Sequence, residues 1–347
     1  MVLGLILMCT GAGADTDSTR QLLEQHLLLE QPLPAPVDGS IPVEIGLKVE
    51  QITGINQQAE NFSAVVSLFA RYSDPLLAYR PGPDEPGFRM YRQESFYKLV
   101  EDRGSRWPEI VMLNQQGRQD LTSRAVAVLP NGIVIFFSRF TTSFQAPDFD
   151  FRRFPFDHQR FHIRSQLVLP REIFHFVPMP DTSGIGAQLG EEEWIIYDVT
   201  ESITTTSSLT GLPSSEFVLS FSGHRHLLYY FMRIFLPMLI ILLVSWFTFQ
   251  LKDYVKRIDL GITTLLLFIA FNFTVSSDLP RLGYITTMDA LMTGAFVITG
   301  IVLMFNVYLR RLQTGGQESN AARLDKLAVW GYWPAYIMGT TMALLLI

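Results

Sequence analysis

One short stretch near the middle of the chain places a carboxylate among cations and aromatic rings. Residues 151–161 read FRRFPFDHQRF, in which four phenylalanines and a proline surround Asp157, together with three arginines and a histidine. This composition is atypical of a buried strand and of a flexible loop, so the position of Asp157 needs an explanation. A loop packed simply by its phenylalanines is one interpretation.

Other residue combinations that could do chemistry are weak. Gly184, Gly186 and Gly190 lack the spacing and the strand-turn-helix context of a dinucleotide-binding motif. His224 and His226 lie on one face of a predicted strand without a third ligand, which argues against a metal site. The sequence contains neither G-x-S-x-G nor H-E-x-x-H. We therefore predict that the protein is not an enzyme and that it has no cofactor and no metal site.

Apolar and charged residues are distributed unevenly along the 347-residue chain. Most charged side chains precede residue 226, and the remainder consists mainly of long apolar runs. This asymmetry is typical of a water-exposed half joined to a membrane half. The net charge of -6 argues against nucleic acid as the partner.

Four apolar segments have about the length that is needed to cross a bilayer. They are residues 227–249, in which Pro237 should kink the helix, 258–277, 284–309 and 327–347. Basic residues concentrate in two of the connecting loops, at Lys252, Lys256, Arg257, Arg310, Arg311, Arg323 and Lys326, whereas the loop between the second and third segments has only Arg281. Positive loops stay inside, so we predict a multi-pass inner-membrane protein whose N-terminal domain lies in the periplasm or outside the cell.

The N-terminus reads as an export signal. Residues 1–14 have a short apolar core and end in Ala12-Gly13-Ala14, which is typical of a cleavage site, so Asp15 is the expected mature start. The single cysteine, Cys9, lies inside this segment, and the mature chain is then expected to have no disulfide. Residues 15–41 form an N-terminal extension with an amphipathic helix predicted over 16–34.

Residues 42–225 read as antiparallel β structure. Alternating runs such as VEIGLKVEQI, FSAVVSLFARY, AVAVL and IVIFFSRF are rich in β-branched and aromatic residues. Pro130-Asn131-Gly132 separates two of them and is a strong hairpin signal. We predict a β-sandwich over these residues, followed by a four-helix transmembrane domain over residues 226–347.

The second apolar segment carries polar side chains that are costly to expose to lipid. Steps of four and three residues place one set on a single helical face: Asp259, Thr263, Leu266, Ala270 and Phe273. This face is acidic, then hydroxylated, then apolar and bulky. A seam between packed helices is the alternative, but a carboxylate at this depth favours water or a partner.

Taken together, these features resemble the pentameric ligand-gated ion channel family, and the likeness is closest to its bacterial members, which lack the disulfide that closes the signature loop in animal receptors. The matching residues are Phe154-Pro155-Phe156-Asp157, Gln159, Arg225, Pro237 and Leu279-Pro280-Arg281. Trp107-Pro108 resembles the family's W-x-P element shortened by one residue. The resemblance covers about residue 43 to the end.

The resemblance implies a homopentamer around a central pore in a lipid bilayer. Asp157 is then expected to pair with Arg225, and the implied coupling residues between sandwich and pore are Phe154, Pro155, Phe156, Asp157, Arg225, Pro280 and Arg281. One face of the second span lines the pore, with Leu266 as an apolar gate, Phe273 as an outer constriction and Asp259 as the selectivity site for monovalent cations. Lys256 and Arg257 adjoin this ring and would partly cancel its field if they also faced the lumen.

The stimulus is less well defined by the residues. The hairpin at residues 203–217, where the family binds agonists, has no Tyr or Trp, so a strong site for ammonium groups is not expected. The candidate cleft residues are Trp107, Gln166, Trp194, Tyr197 and Phe217. Candidate pH sensors, since histidine titrates near neutrality, are His158, His162, His224 and His226. The stimulus is thus a small-molecule agonist or protons, calcium binding at Glu191–Glu193 or at Asp148 and Asp150 stays open, and a non-conducting receptor or structural assembly is the alternative function.

Overall fold

The computed structural model describes residues 39–82, 85, 87–186, 194–208, 210–276 and 282–344. The predicted signal peptide, the helix expected at 16–34, the acidic run Glu191–Glu193, Pro280 and Arg281 lie outside the described residues. The chain divides into two compact units, one within residues 1–148, 160–192 and 196–223, and the other within 149–159, 193–195 and 224–347.

Two β-sheets make up most of the first unit. Their strands are β1 Ile41–Asn56, β2 Asn61–Ser73, β3 Arg89–Tyr91, β4 Ile110–Met112, β5 Gln115–Val128, β6 Ile133–Gln145, β7 His158–Leu167, β8 Phe174–Pro178, β9 Gly184–Ile185, β10 Trp194–Ser207 and β11 Pro213–Arg225. Three of these strands, β7, β10 and β11, have end residues counted in the second unit. One sheet has the order β3-β5-β6-β2-β1-β8, with β9 also paired to β1, and the other has the order β10-β11-β7-β4. This arrangement confirms the predicted β-sandwich.

Aromatic side chains fill the space between the two sheets. Phe62 from β2 lies 5.2 Å from Phe161 of β7 and 5.8 Å from Phe221 of β11, measured between ring centroids. Phe161 and Phe221 stack on each other at 5.1 Å. All three rings are at most 1% exposed, which is the expected result of inward-facing positions alternating along each strand.

The hairpin predicted at Pro130-Asn131-Gly132 joins β5 to β6. Gly132 adopts a φ of +84°, and a Cβ at this position would lie 2.4 Å from the carbonyl oxygen of Asp74. Only glycine suits that combination of left-handed backbone and close approach.

Two features of the first unit differ from the prediction. β1 pairs in parallel with β8, from Ile41 opposite Phe174 to Ile45 opposite Pro178, although antiparallel pairing was expected throughout. β8 follows β7 of the other sheet, so no hairpin fixes its direction relative to β1. In addition, an unpredicted helix, α1 Gln93–Asp102, follows β3 and buries Phe96 and Val100.

The second unit is mainly helical. Its helices are α2 Leu227–Gln250, α3 Tyr254–Ser276, α4 Thr287–Thr314 and α5 Glu318–Leu344. In the described part of the chain, α2, α3 and α4 are long and apolar enough to cross a membrane. α5 begins nine positions before the expected fourth span and starts with a polar segment, so that span stays a prediction.

The irregularity expected at Pro237 takes the form of a wider turn. Phe231–Phe235 form a π-helical turn immediately before the proline, and the N–H of Leu236 donates to the carbonyl of Phe231. Proline has no N–H with which to donate a helical hydrogen bond. The turn before it can therefore widen without the loss of such a bond at Pro237.

Candidate functional site

The loop between β6 and β7 contains the stretch rich in phenylalanine and arginine. Its turns are closed by hydrogen bonds from the N–H of Phe154 to Phe151 O at 2.9 Å and from the N–H of Phe156 to Arg153 O at 2.7 Å. Phe151 and Phe154 are buried, whereas Phe156 is exposed, and the peptide bond before Pro155 is cis. The loop therefore directs two of its rings inward, beside the carboxylate of the same stretch.

Asp157 and Arg225 form the ion pair that the resemblance implies. The distance from Arg225 Nε to Asp157 Oδ1 is 3.0 Å, and the two side chains are 0% and 1% exposed. The second carboxylate oxygen accepts a hydrogen bond from Gln159 Nε2 at 2.6 Å, and Arg225 Nη1 donates to the Tyr230 hydroxyl at 2.9 Å. Both charges thus have further hydrogen-bond partners, which a buried pair needs to offset its desolvation.

Aromatic rings surround the Arg225 guanidinium. Its central carbon lies 4.2 Å from the ring centroid of Trp194, 4.8 Å from Phe154, 5.8 Å from Tyr230 and 6.0 Å from Phe151. The negative faces of such rings attract a cation, and the attraction grows when water is excluded. The phenylalanines of the loop and its carboxylate therefore act on the same cation, which answers why both occur together in the sequence.

Gln159 connects the two ends of the loop. Its side-chain oxygen accepts from the N–H of Asp150 at 3.0 Å, and its side-chain nitrogen donates to Asp150 O at 2.8 Å in addition to the Asp157 carboxylate. One buried amide therefore holds the start of the loop against its acidic centre.

The loop also contacts the N-terminus of α4. The N–H groups of Thr287 and Met288 donate to the carbonyl oxygens of Arg152 and Phe154 at 2.8 and 3.2 Å, and the N–H of Phe151 donates to the Tyr284 hydroxyl at 3.0 Å. The first N–H groups of a helix have no partner within it, and here loop carbonyls supply one.

The sequence analysis did not predict this contact, because it started the third span at residue 284. The helix begins after Thr286. The Thr286 hydroxyl accepts a hydrogen bond from the N–H of Asp289, and the Asp289 carboxylate accepts one from the N–H of Thr286. This capping box was a readable signal for the true start of the helix.

The predicted face of α3 is exposed on the single subunit. All five of its residues are exposed, and the exposed fractions of Leu266 and Phe273 are 61% and 76%. The five are Asp259, Thr263, Leu266, Ala270 and Phe273. The opposite face is packed, since Gly261, Thr264 and Phe268 are buried. A Cβ on Gly261 would lie 3.2 Å from Leu303 of α4. The predicted face is therefore not a seam between helices within the described part of this subunit.

The two basic residues before this face differ from each other. Lys256 is exposed, whereas Arg257 is buried and forms an ion pair with Asp325 at 2.6 Å. The sequence left open that Lys256 and Arg257 could partly cancel the field of the Asp259 ring. In this geometry Arg257 does not contribute to such a cancellation, because it is paired with Asp325.

The chain is similar in sequence to known ion channels. A model of the neurotransmitter-gated ion-channel ligand binding domain matches residues 15–167. The chain is 26% identical over 298 residues to a proton-gated ion channel of Gloeobacter violaceus, which covers 85% of this chain and 80% of that protein. These matches confirm the resemblance to the pentameric ligand-gated ion channel family. Its members are channels and not enzymes, in line with the absence of a catalytic motif from the sequence.

Animal receptors of this family match over similar lengths. The chain is 23% identical over 354 residues to the gamma-aminobutyric acid receptor subunit beta-4 of Gallus gallus, covering 94% of this chain and 69% of that subunit. It is 21% identical over 302 residues to the human subunit rho-1, covering 83% of this chain and 60% of that subunit. The matches extend well beyond the sandwich.

The candidate histidines fall into two places. The rings of His158 and His224 meet edge to face at 5.7 Å, next in sequence to Asp157 and Arg225, and His226 is exposed on the far side of Arg225 in the chain. His162 lies apart from them in the sandwich, where Nδ1 shares a hydrogen bond with the Ser220 hydroxyl at 2.9 Å.

His162 has a shifted pKa. Burial lowers the pKa of its imidazole below the ordinary value, and the nearby cations of Arg160 and Arg164 lower it further, whereas Asp148, 3.9 Å from Nε2, opposes the shift. The fold therefore favours the neutral ring at this position.

The candidate cleft residues do not share one environment. Trp107 packs among the rings of Phe96 and Phe136 at 5.3 and 5.2 Å, and Tyr197 is exposed. Gln166, Trp194 and Phe217 are buried, and Trp194 lies on Arg225. A ligand could reach these three only if they left the core, because their apolar or amide surfaces are already covered by the fold. Among the described residues, no cluster of three acids, histidines or cysteines suits a metal ion, and this includes Asp148 and Asp150.

Proposed function

We propose that the chain assembles as a homopentamer in which α3 of each subunit lines a cation-selective pore. The observation that carries this proposal is the one-sided packing of α3. An apolar helix that buries Phe268 and exposes Asp259 and Leu266 needs water or another subunit on its open face, because an acid facing lipid is costly. Similarity to the channel family supports a central pore as the occupant of that face.

The functions of the face follow from its side chains. A ring of Leu266 side chains forms the main gate, which blocks ions by dewetting, and Phe273 forms a second constriction. A ring of Asp259 carboxylates attracts monovalent cations and repels anions. The basic residues of the loops keep those loops in the cytoplasm, so that the fourth span and the sandwich complete an inner-membrane protein with its ligand-binding domain outside.

Replacement of Asp259 tests the pore directly. Asp259→Asn keeps the shape of the side chain and removes its charge, so reversal potentials in asymmetric salt should shift toward weaker cation preference. Lys256→Gln, at a neighbouring exposed position, serves as the control and should shift the preference in the opposite direction or leave it unchanged. A wild-type protein that conducts nothing in a bilayer under any stimulus would favour the non-conducting receptor instead.

The joint around Asp157 and Arg225 is proposed to couple the sandwich to the pore. The loop holds Arg225 at the start of α2 and bonds to the first turn of α4 through Arg152 and Phe154. A movement of the loop would therefore reach two helices at once. Pro155, Phe156, Pro280 and Arg281 are assigned to the same joint by the family resemblance.

Protons are the proposed stimulus. The support is the pair of histidines, His158 and His224, that flanks the Asp157–Arg225 pair, together with similarity to a protein named as a proton-gated ion channel. Protonation would add positive charge beside Arg225 and compete for Asp157. A small-molecule agonist at the candidate cleft, with Tyr197 as its exposed aromatic residue, is the other stimulus that the test must separate.

A titration of the current distinguishes the two stimuli. Current measured against external pH without added ligand should change, and His158→Gln or His226→Gln should move the midpoint. Identical pH-response curves for the wild type and a variant lacking His158, His162, His224 and His226 would contradict the histidine mechanism, whereas opening only by an added amine would favour the agonist.

A further inference from the structure

Two basic residues precede Asp259 on α3, and their side chains leave the helix in different directions. Lys256 is exposed, whereas the Arg257 side chain is only 5% exposed. A guanidinium is charged at every pH that the protein meets. Its position therefore decides whether it adds a positive ring to the inner mouth of the proposed pore or stays out of the ion path.

The Arg257 guanidinium is held by one acid and two backbone carbonyls. Nη1 and Nη2 donate to the two carboxylate oxygens of Asp325 at 2.6 and 3.0 Å. Nη2 also donates to Phe249 O at 3.0 Å, and Nε donates to Leu251 O. The ring of Tyr254 lies 4.7 Å from the guanidinium carbon. A bidentate pair with a carboxylate is a strong geometry for arginine. The positive charge of Arg257 is therefore neutralised at its buried position by Asp325.

These contacts join three helical segments. Phe249 belongs to the last turn of α2, Arg257 to the first turns of α3, and Asp325 to α5, which is 68 residues further along the chain. Trp246 and Tyr332 strengthen the same assembly, because Trp246 Nε1 donates to Val329 O at 3.2 Å and the Tyr332 hydroxyl donates to Leu242 O at 3.0 Å. α5 is thus placed so that its acid reaches the arginine from the side opposite to the pore face.

We propose that Asp325 withholds the charge of Arg257 from the pore and thereby sets the ion selectivity of the channel. Arg257 and Asp325 are a positioning pair in this role, since neither side chain contacts the permeating ion. The inference rests on the proposed function, in which Asp259 selects cations. Without its acid, the arginine would be a buried unpaired charge, and the cost of that state would drive its long side chain toward water at the inner mouth.

Asp325→Asn is the decisive variant. It should lower the ratio of sodium to chloride permeability by about twofold or more. The reason is that the released guanidinium of Arg257 would lie within a Debye length of Asp259 and would weaken the attraction of its carboxylate for cations. Glu318→Gln removes an exposed acid from the first turn of the same helix and is the matched control, expected to leave the ratio unchanged. Asp325→Glu keeps the acid and should retain most of the wild-type ratio.

Removal of the arginine gives the opposite pattern. Arg257→Gln should not lower the permeability ratio, and the double variant Arg257→Gln/Asp325→Asn should recover the value of Arg257→Gln alone. If the pair were merely structural, both single variants would lower the yield of assembled channel, and the channels that form would keep the wild-type permeability ratio. An unchanged ratio in a conducting Asp325→Asn channel overturns the proposal.

Thiol accessibility tests the same inference when Asp325→Asn does not assemble. With Cys9 replaced by Ser, the chain has no other cysteine. Lys256→Cys and Thr263→Cys should react with a charged thiol reagent and change the current, whereas Arg257→Cys should be protected. Rapid modification of Arg257→Cys overturns the proposal. Failure of the proposed function is separate, because it appears as an Asp259→Asn channel with wild-type selectivity.

Discussion

Asp157 and Asp259 have the same side chain, but Asp157 is buried and Asp259 is exposed. The regions around the two residues differ in burial in the same way. The Asp157 carboxylate is 1% exposed and is bound by Arg225 and Gln159, within a cluster of aromatic rings. Asp259 is exposed on α3 and forms no ion pair with any of the described residues. In the joint, the carboxylate of Asp157 binds groups of its own subunit. On the α3 face, the carboxylate of Asp259 is available to a partner outside the subunit.

The two regions should therefore respond differently to substitution. Substitutions in the joint remove contacts that exist within one subunit, so they should reduce stability first. Substitutions on the α3 face remove few contacts within the subunit, so they should change conduction first.

Arg225→Ala should produce the largest effect on stability. It leaves the buried carboxylate of Asp157 without its cation and empties the aromatic cluster, which costs about 3–5 kcal/mol for a buried pair broken on one side. Thermal unfolding in detergent, followed by the loss of assembled protein, measures the effect. Arg153→Ala, at an exposed arginine of the same loop, should change stability by about 0.5 kcal/mol or less. Equal stability in the two variants would remove the basis of the comparison.

Gln159→Leu should have a smaller effect in the same direction. It leaves the N–H and carbonyl of Asp150 and one oxygen of Asp157 without their partner, at a cost of about 1–3 kcal/mol. The same thermal assay applies. A variant as stable as the wild type would show that water replaces the amide and that the joint is less closed than its burial indicates.

Leu266→Ser should leave stability nearly unchanged and alter gating. A hydroxyl wets the apolar ring, so the ratio of open to closed channels should rise by about tenfold, which corresponds to ~1.4 kcal/mol. Leak current at rest is the measurement, and Leu267→Ser, at an exposed neighbour outside the five-residue face, is the control. A large loss of stability without leak would mean that this face is packed after all.

His162→Gln should have the smallest effect and should depend on pH. The pKa of His162 is lowered in the folded protein, so the stability that the neutral ring contributes is present above about pH 6.5 and is lost as the pH falls. The wild type should therefore lose more stability between pH 7 and pH 5 than the variant, in which glutamine can retain a bond to Ser220. The opposite order would show that the attraction of Asp148 outweighs burial.

Much of the architecture follows from periodicity alone. Alternation with a period of two predicted the strands of the sandwich, and Pro130-Asn131-Gly132 predicted the turn between β5 and β6, because these depend on neighbours in sequence. In the same way, steps of three and four residues identified the exposed face of α3, since helical geometry fixes which side chains share a side. The limits of the helices were less accurate, because capping at Thr286 and the polar start of α5 at Glu318 are weaker signals than hydropathy.

From its sequence alone, Asp157 could be placed in an aromatic loop and Asp259 on a helical face, and the chain could be compared to a family of channels. The folded chain shows in addition that Trp194 covers Arg225 and that the Arg257 side chain turns away from Asp259 and pairs with Asp325. Side chains as far apart in sequence as Arg257 and Asp325 meet because helices pack in three dimensions. No local pattern records that meeting, since the direction of a long, charged side chain is set by the partner that offsets its desolvation.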